Sequence, residues 1–314
     1  MVHNRSEFKL IISVPLLQML KTFRITSNVK KLFSLASTVK NVKTMSTQDV
    51  IFESINNAGV MTLNRPKALN ALDLSMVSKI VPTLNRWRSE KSLVIVKGSG
   101  GKAFCAGGDV RAVVEAGRRG DRLGHDFFRT EYTMNGLIGE YSIPYVSLLD
   151  GIVMGGGVGI SIHGSYRVAT EKSLFAMPET AIGLFPDVGG SYVLPRLEGK
   201  LGYYLALTGY RLKGVDVTRA GIATHYCESG KINDLEKELL TCGNHSSVKG
   251  VLGRFSSEEK TEFSLKPVVD KINTCFAGET MEGIIERYTC IFQCLENCVS
   301  NFACPYSTRG AVQN

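Results

Sequence analysis

The sequence predicts an α/β fold built on parallel strands, and three observations carry that prediction. Short apolar runs of strand length alternate with segments whose apolar residues recur at helical spacing. The glycines, 32 in all, gather in clusters at 98–101, 107–108, 155–159 and 189–190, as purpose-built loops would have them. The 314 residues, 44% apolar and 21% charged, suffice for one large domain or two modest ones.

The elements follow in order. VIFESI (50–55) and GVMTLN (59–64) alternate as strands and form a hairpin, with turn chemistry at Asn57-Ala58-Gly59. Pro66 stops the second strand. From Asp73, an N-cap, the residues Met76, Ile80, Val81, Leu84 and Trp87 mark one helical face. SLVIVKG (92–98) is a buried strand, and a helix starts near Asp109. Residues 114–125 are polar and glycine-rich and are expected to form a mobile connection. A helix carrying Glu131 comes next. PYVSLLDG (144–151) is a buried strand running into GGGVGISIHG, where a helix begins. YRVAT (166–170) is a strand, and SYVLPRL and LGYYLALTG are helical. Beyond residue 229 the patterns INDLEKELL, PVVDKINTCF and TMEGIIERYTCIF are helices.

The net charge of +8 is concentrated at one end. Residues 1–45 hold eight Lys or Arg and one acid, Glu7, which leaves 29 basic and 28 acidic residues for the remainder. A nearly neutral body argues against a nucleic-acid footprint. The leader is basic, acid-poor and rich in Ser and Thr, as mitochondrial transit peptides are, and KKLFSLASTVKNVK suits a basic amphipathic helix. A secretory signal with LIISVPLLQML as its apolar core is the rival; Pro15 and Gln18 interrupt that core, and no clear cleavage site follows it. The expected location is therefore the mitochondrial matrix. No run is long and apolar enough to cross a bilayer, so no membrane role is expected.

The eight cysteines are Cys105 in the first glycine loop and seven after residue 226. Length and leader do not suggest a disulfide scaffold. Cys290, Cys294 and Cys298 recur every four residues and share a helix face. No histidine completes a zinc-like spacing with them, and the five histidines show none among themselves, so no metal is expected.

Three segments can carry chemistry. In GKAFCAGGDVRAV and GIVMGGGVG a strand ends, small residues follow and a helix begins, which leaves backbone N–H groups free for a ligand that no side chain obstructs. Two such donors from separate loops can grip one oxygen. Either loop alone fits equally the close packing of a helix on a strand. GSGGKAF lacks the P-loop ending, GGGVG lacks the dinucleotide spacing, and no G-x-S-x-G elbow is present. The third segment, FAMPETAIGLFPDVGGSYVLPRL, sets Glu179 and Asp187 eight residues apart, each after a proline and thus on irregular backbone around a short turn. Phe175, Ile182, Leu184 and Phe185 surround them with apolar groups suited to raising a carboxyl pKa. A helix cap or a surface acid is the plainer reading of either residue taken singly.

Taken together, LNRPKALNAL (63–72), GGKAFCAGGDVRAV (100–113), GIVMGGGVGISIHGSYRVATE (151–171), the run 175–214 and RAGIATHY (219–226) resemble the crotonase (enoyl-CoA hydratase/isomerase) superfamily and, within it, a thioester-hydrolase branch. The resemblance covers about residues 48–228. It implies a ββα spiral core at 46–228, after the leader at 1–45 and before a helical region at 229–314 that is incomplete or divergent. It implies an acyl-CoA thioester as substrate, with CoA part of the substrate and no separate cofactor. The adenine and pantetheine arm would lie along 65–70 and 103–108. By position, the oxyanion donors fall on the N–H groups of Gly108 and Gly156, and the catalytic carboxylate on Glu179. The resemblance also implies that Asp187 would receive a substrate hydroxyl and that Glu131 would contact the substrate. Hydratases of the superfamily carry a second catalytic glutamate where this chain has Gly159, and glycine where it has Asp187. Both departures favour hydrolysis over hydration. Two other readings stand beside it: a catalytically weak CoA-ester binder, suggested by the ending ENCVSNFACPYSTRGAVQN, and a hydratase or isomerase. A missing helix layer would leave apolar core surface uncovered. Crotonase relatives often trimerise, and the sequence leaves the oligomeric state open.

Overall fold

Two sheets wound together organise the molecule. A computed structural model describes residues 48–257 and 260–297, with side chains through 290. The leader at 1–45 and the last residues, 298–314, lie outside the described residues.

The chain opens on the antiparallel hairpin β1 (Val50–Ile55) and β2 (Ala58–Leu63). The turn sits at Asn56-Asn57, one step before the expected position, and Asn56 adopts φ 52. Asparagine tolerates that left-handed region better than most residues. In α1 (Leu74–Glu90) the Asp73 carboxylate accepts from Met76 N at 2.9 Å, as its cap role predicts. There follow β3 (Leu93–Gly98), β4 (Ala103–Cys105), α2 (Val110–Arg118), α3 (Leu123–Gly139), β5 (Tyr145–Leu149), β6 (Ile152–Met154), α4 (Gly156–Ile162), β7 (Tyr166–Ala169) and β8 (Leu174–Ala176). Then come α5 (Gly190–Val193), α6 (Leu201–Thr208), β9 (Leu212–Lys213), α7 (Asp216–Arg219), β10 (His225–Tyr226), α8 (Ile232–Leu239), α9 (His245–Phe255), α10 (Val269–Cys275) and α11 (Met281–Asn297). The expected mobile connection at 114–125 shrinks to residues 119–122. Asp109 caps α2 by accepting from Ala112 N, which carries that helix through Gly117 to Arg118.

The six-stranded sheet runs β1-β2-β3-β5-β7-β10, parallel from β2 onward. A second sheet runs β4-β6-β8-β9, parallel except for β9. Strands alternate between them: β3 then β4, β5 then β6, β7 then β8. Each turn of the chain adds one strand to each sheet before a helix, and this repetition is the ββα spiral. The sequence reading missed the second sheet, because its strands are two or three residues long and continue directly from the longer ones.

The large sheet is buried on both faces, which is why β3 and β5 read as unbroken apolar runs. Met61, Val94 and Val96 face the main core beneath α1 and α3. Val60, Ile95, Val146 and Leu148 face a second core closed by Leu235 and Leu239 of α8 and by Val248, Val251 and Leu252 of α9. Residues beyond 229 thus cover one face of the sheet. Outside this layer, Met281 and Ile285 of α11 stand exposed beside a groove that reaches Tyr204, Leu207 and Phe276. Cys290 of α11 is half-buried. The side chain of Cys294, and all of Cys298, lie outside the described residues.

Candidate active site

Both glycine loops are offered to one cavity by backbone pairing. The first is stitched to residues 69–72: Ala106 N donates to Leu69 O at 3.0 Å, Leu72 N to Gly107 O at 2.8 Å and Asp109 N to Leu72 O at 2.7 Å. This bridge uses the Gly107 carbonyl and the Asp109 amide, so the intervening Gly108 turns its own N–H to the opposite side. Arg65 braces the loop from below, paired with Asp73 and Asp109. The second loop leaves β6 through Gly155, at φ 47, and enters α4 at Gly156, whose N–H precedes any intrahelical acceptor. A methyl group built on Gly156 would stand 3.2 Å from Gly108 N and would collide with Glu131 Oε1. One on Gly155 would stand 2.9 Å from Glu179 Oε1. Glycine is needed here because carboxylates occupy the space a side chain would take.

The cavity measures about 410 Å³ and is lined by Gly108, Gly156, Glu131, Glu179 and Asp187 among apolar groups that include Phe127, Val110 and Leu184. All five candidate residues therefore meet in one place. Glu131 reaches it from the middle of α3, Glu179 from a 3-10 turn (Glu179–Ile182) after β8, and Asp187 from the loop before α5.

Their electrostatic settings differ. Glu131 is 2% exposed and Glu179 6%, and each keeps a buried carboxylate oxygen, Oε1 and Oε2 respectively, without a partner among the described residues. Burial pushes the Glu131 carboxyl from the usual 4.5 to about 8, helped by the charges of Asp187 and Glu179. Burial also pushes Glu179 to about 7, with a smaller contribution from Asp187. Asp187 is raised by burial too, but the Tyr132 hydroxyl, which donates to Oδ2 at 2.7 Å, pulls it back. The Cys105 thiol, fully buried in the first loop, is pushed up by burial and is a packed group, not a nucleophile.

Gly159 faces a filled space. A methyl there would lie 2.6 Å from Val188 Cβ and 2.9 Å from Asn135 Oδ1. A glutamate has no room without displacing the loop that bears Asp187. Three neighbours of the site escaped the sequence reading: Tyr132, Asn135 and Val188. Only Asn135 left a signal, as a polar residue four positions after Glu131 and hence on the same helix face. Among the described residues no group of three or more His, Cys, Asp or Glu is placed to hold a metal ion, and no helix is long and apolar enough to cross a membrane.

Two interleaved sheets with paired glycine loops above a carboxylate-lined cavity define a class, and the chain belongs to it: the enoyl-CoA hydratase/isomerase family, whose model matches residues 58–301. That match passes residue 228, where the motifs of the sequence end. Within the family the chain is similar to the protein named 3-hydroxyisobutyryl-CoA hydrolase, mitochondrial, from Xenopus tropicalis. The two are 59% identical over 241 residues, 74% of this chain and 63% of that one. It is also similar to the protein of the same name from Homo sapiens, 54% identical over 252 residues, 78% of this chain and 65% of that one. The chain thus spans under two thirds of the length of these relatives. Among solved structures it is similar to a carnitinyl-CoA dehydratase from Mycobacterium thermoresistibile, with TM-score 0.70 and 37% identity over 77% of this chain and 71% of that one.

Proposed function

We propose that this chain hydrolyses the thioester of 3-hydroxyisobutyryl-CoA to 3-hydroxyisobutyrate and CoA, a step of valine breakdown in the mitochondrial matrix. The observation that carries the proposal is the meeting of two backbone N–H donors with buried carboxylates at a site where Gly159 leaves no space for a second hydratase-type glutamate. The names of the similar relatives supply the acyl group and the compartment.

The thioester carbonyl oxygen sits between the N–H groups of Gly108 and Gly156, which stabilise the charge it gains as the carbon becomes tetrahedral. Each such donor is worth about 3 kcal/mol in the transition state. Ionised Glu179 acts in one of two ways. It takes a proton from a water whose oxygen bonds to the carbonyl carbon, or its own oxygen bonds there and gives an anhydride that water then opens. In both routes the carbon–sulfur bond breaks and CoA leaves as thiolate. Glu131, whose carboxyl burial raises to about 8, lines the same cavity and can return a proton to the thiolate, as can the Glu179 carboxyl once it has taken one from water. Asp187 accepts from the substrate hydroxyl. No step calls on a separate cofactor.

The test is thiol release from 3-hydroxyisobutyryl-CoA by residues 46–314, run beside hydration of crotonyl-CoA. Release without hydration supports the proposal. Hydration without release makes the chain a hydratase, and tight ester binding with neither activity makes it a binder. Turnover in isotopically labelled water and trapping with hydroxylamine together separate the two routes: label entering the Glu179 carboxylate marks an anhydride opened at the glutamyl carbon, a hydroxamate on Glu179 or on the acyl group marks one intercepted before opening, and neither signal marks water attack.

A further inference from the structure

The loop that carries Asp187 is fixed at three points. Val188, at φ 45, buries its side chain to 3% exposure in the notch at Gly159. Its carbonyl lies 2.8 Å from His163 Nε2, and a methyl on Gly189 would collide with the same imidazole. These two contacts hold the backbone, and the only other group of the loop that meets the Asp187 carboxylate is the N–H of its own residue. The third contact holds the carboxylate itself: the Tyr132 phenol donates to Oδ2 at 2.7 Å, a charge-assisted bond of the stronger kind. Among the described residues this is the one side chain that hydrogen-bonds that carboxylate. Tyr132 does not line the cavity, although Glu131 before it and Phe128 one helical turn earlier both do. The Tyr132 ring stands 6.0 Å from that of Phe128, which fixes its direction across the loop.

We propose that Tyr132 is a positioning residue that sets the preference for hydroxyl-bearing acyl groups, by holding one oxygen of Asp187 so that the other meets the substrate hydroxyl in the cavity. The proposal rests on the thioester reading for its substrates. It differs from that reading in placing selectivity on a residue outside the cavity. A carboxylate with one oxygen tethered presents a fixed acceptor. Released, it samples other rotamers and loses the orientation on which recognition of a single hydroxyl depends. An acyl group without the hydroxyl makes no use of that acceptor and is indifferent to the tether.

The test compares Tyr132→Phe with the wild type on 3-hydroxyisobutyryl-CoA and isobutyryl-CoA. The expected result is a loss of about tenfold or more in kcat/KM for the hydroxylated ester and less than about twofold for the other, so that the ratio collapses. In an Asp187→Ala background the same substitution leaves the ratio unchanged, because the tethered group is gone. Equal losses on both esters, or an unchanged ratio, overturn the proposal and indicate a purely structural role. Phenylalanine keeps the ring at a position that is 43% exposed, so the variant folds, and a thermal melt verifies this. Calorimetric binding of the two esters to both proteins reads the same ratio even if the wild type releases no thiol, the outcome that overturns the hydrolase reading instead.

Discussion

Glu179 and Asp187 sit on one irregular stretch between β8 and α5, face one cavity and carry the same chemical group, yet they are held differently. Glu179 is closed in, with one oxygen unpartnered and its carboxyl pushed to about 7. Asp187 is half-buried and tied to a phenol that favours its ionised form. Their surroundings suit them to different tasks: an unpartnered carboxylate that ionises near neutrality suits proton transfer or attack, whereas a tethered one suits recognition. Glu179→Gln should lower thiol release by about 10³-fold or more while ester binding, followed by calorimetry, persists. Asp187→Asn should cost about ten- to hundredfold, confined to the hydroxylated ester. Equal losses from the two substitutions would mean that the surroundings do not set the roles.

Next in size is the notch that separates the two groups from a hydratase site. Gly159→Ala introduces a methyl against Val188 Cβ and the Asn135 amide. Relieving that overpacking is expected to cost about 1–3 kcal/mol of stability. Because Val188 adjoins Asp187, selectivity for the hydroxyl should fall with it, while turnover of isobutyryl-CoA changes less. Denaturant unfolding and the two-ester assay measure these separately. A variant as stable and selective as the wild type would show that the notch is not what seats the loop.

Much of this was legible in the sequence, for identifiable reasons. The strands β3 and β5 are buried on both faces and so appear as apolar runs, and Asp73 and Asp109 announce helices whose first turns they cap. The glycine clusters and the two proline-preceded acids marked the site, because close backbone approach and irregular backbone both demand particular residue types. The second sheet was not legible: β4, β6 and β8 are three residues each, too short for period-2 alternation to register. Tyr132 and Val188 were illegible for another reason. Their roles arise from contacts across 55 and 29 positions of chain, to Asp187 and Gly159, and local pattern carries no trace of such distances.

In the proposed reaction Glu179 acts in its ionised form, so kcat/KM should rise with pH through about 7 and level off above it. Asp187, raised by burial and pulled back by its tether, contributes a limb of its own. In the Tyr132→Phe variant the Asp187 limb should move upward, since the phenol no longer offsets burial, while the Glu179 limb near 7 stays in place. A shift of both limbs together would indicate that the two carboxyls titrate as one unit.

The smallest effect concerns Glu131, the third carboxyl, and appears in stability. Its folded-state value of about 8 lies above the usual 4.5, so between these limits the folded protein binds a proton that the unfolded chain releases. Stability drawn from this group is therefore fully present below about pH 4.5 and is lost as pH rises through about 8. Glu179 adds a smaller loss of the same sign up to about pH 7. Glu131→Gln replaces the ionising group with a neutral isostere. The variant should match the wild type in Tm near pH 5 and exceed it by a few degrees near pH 9, while the slope that remains belongs to Glu179. Melts across that range decide it. A wild type and variant that run parallel would mean that Glu131 is already ionised in the folded protein, and in the proposed reaction the proton for the leaving thiolate would then come from Glu179 or from solvent.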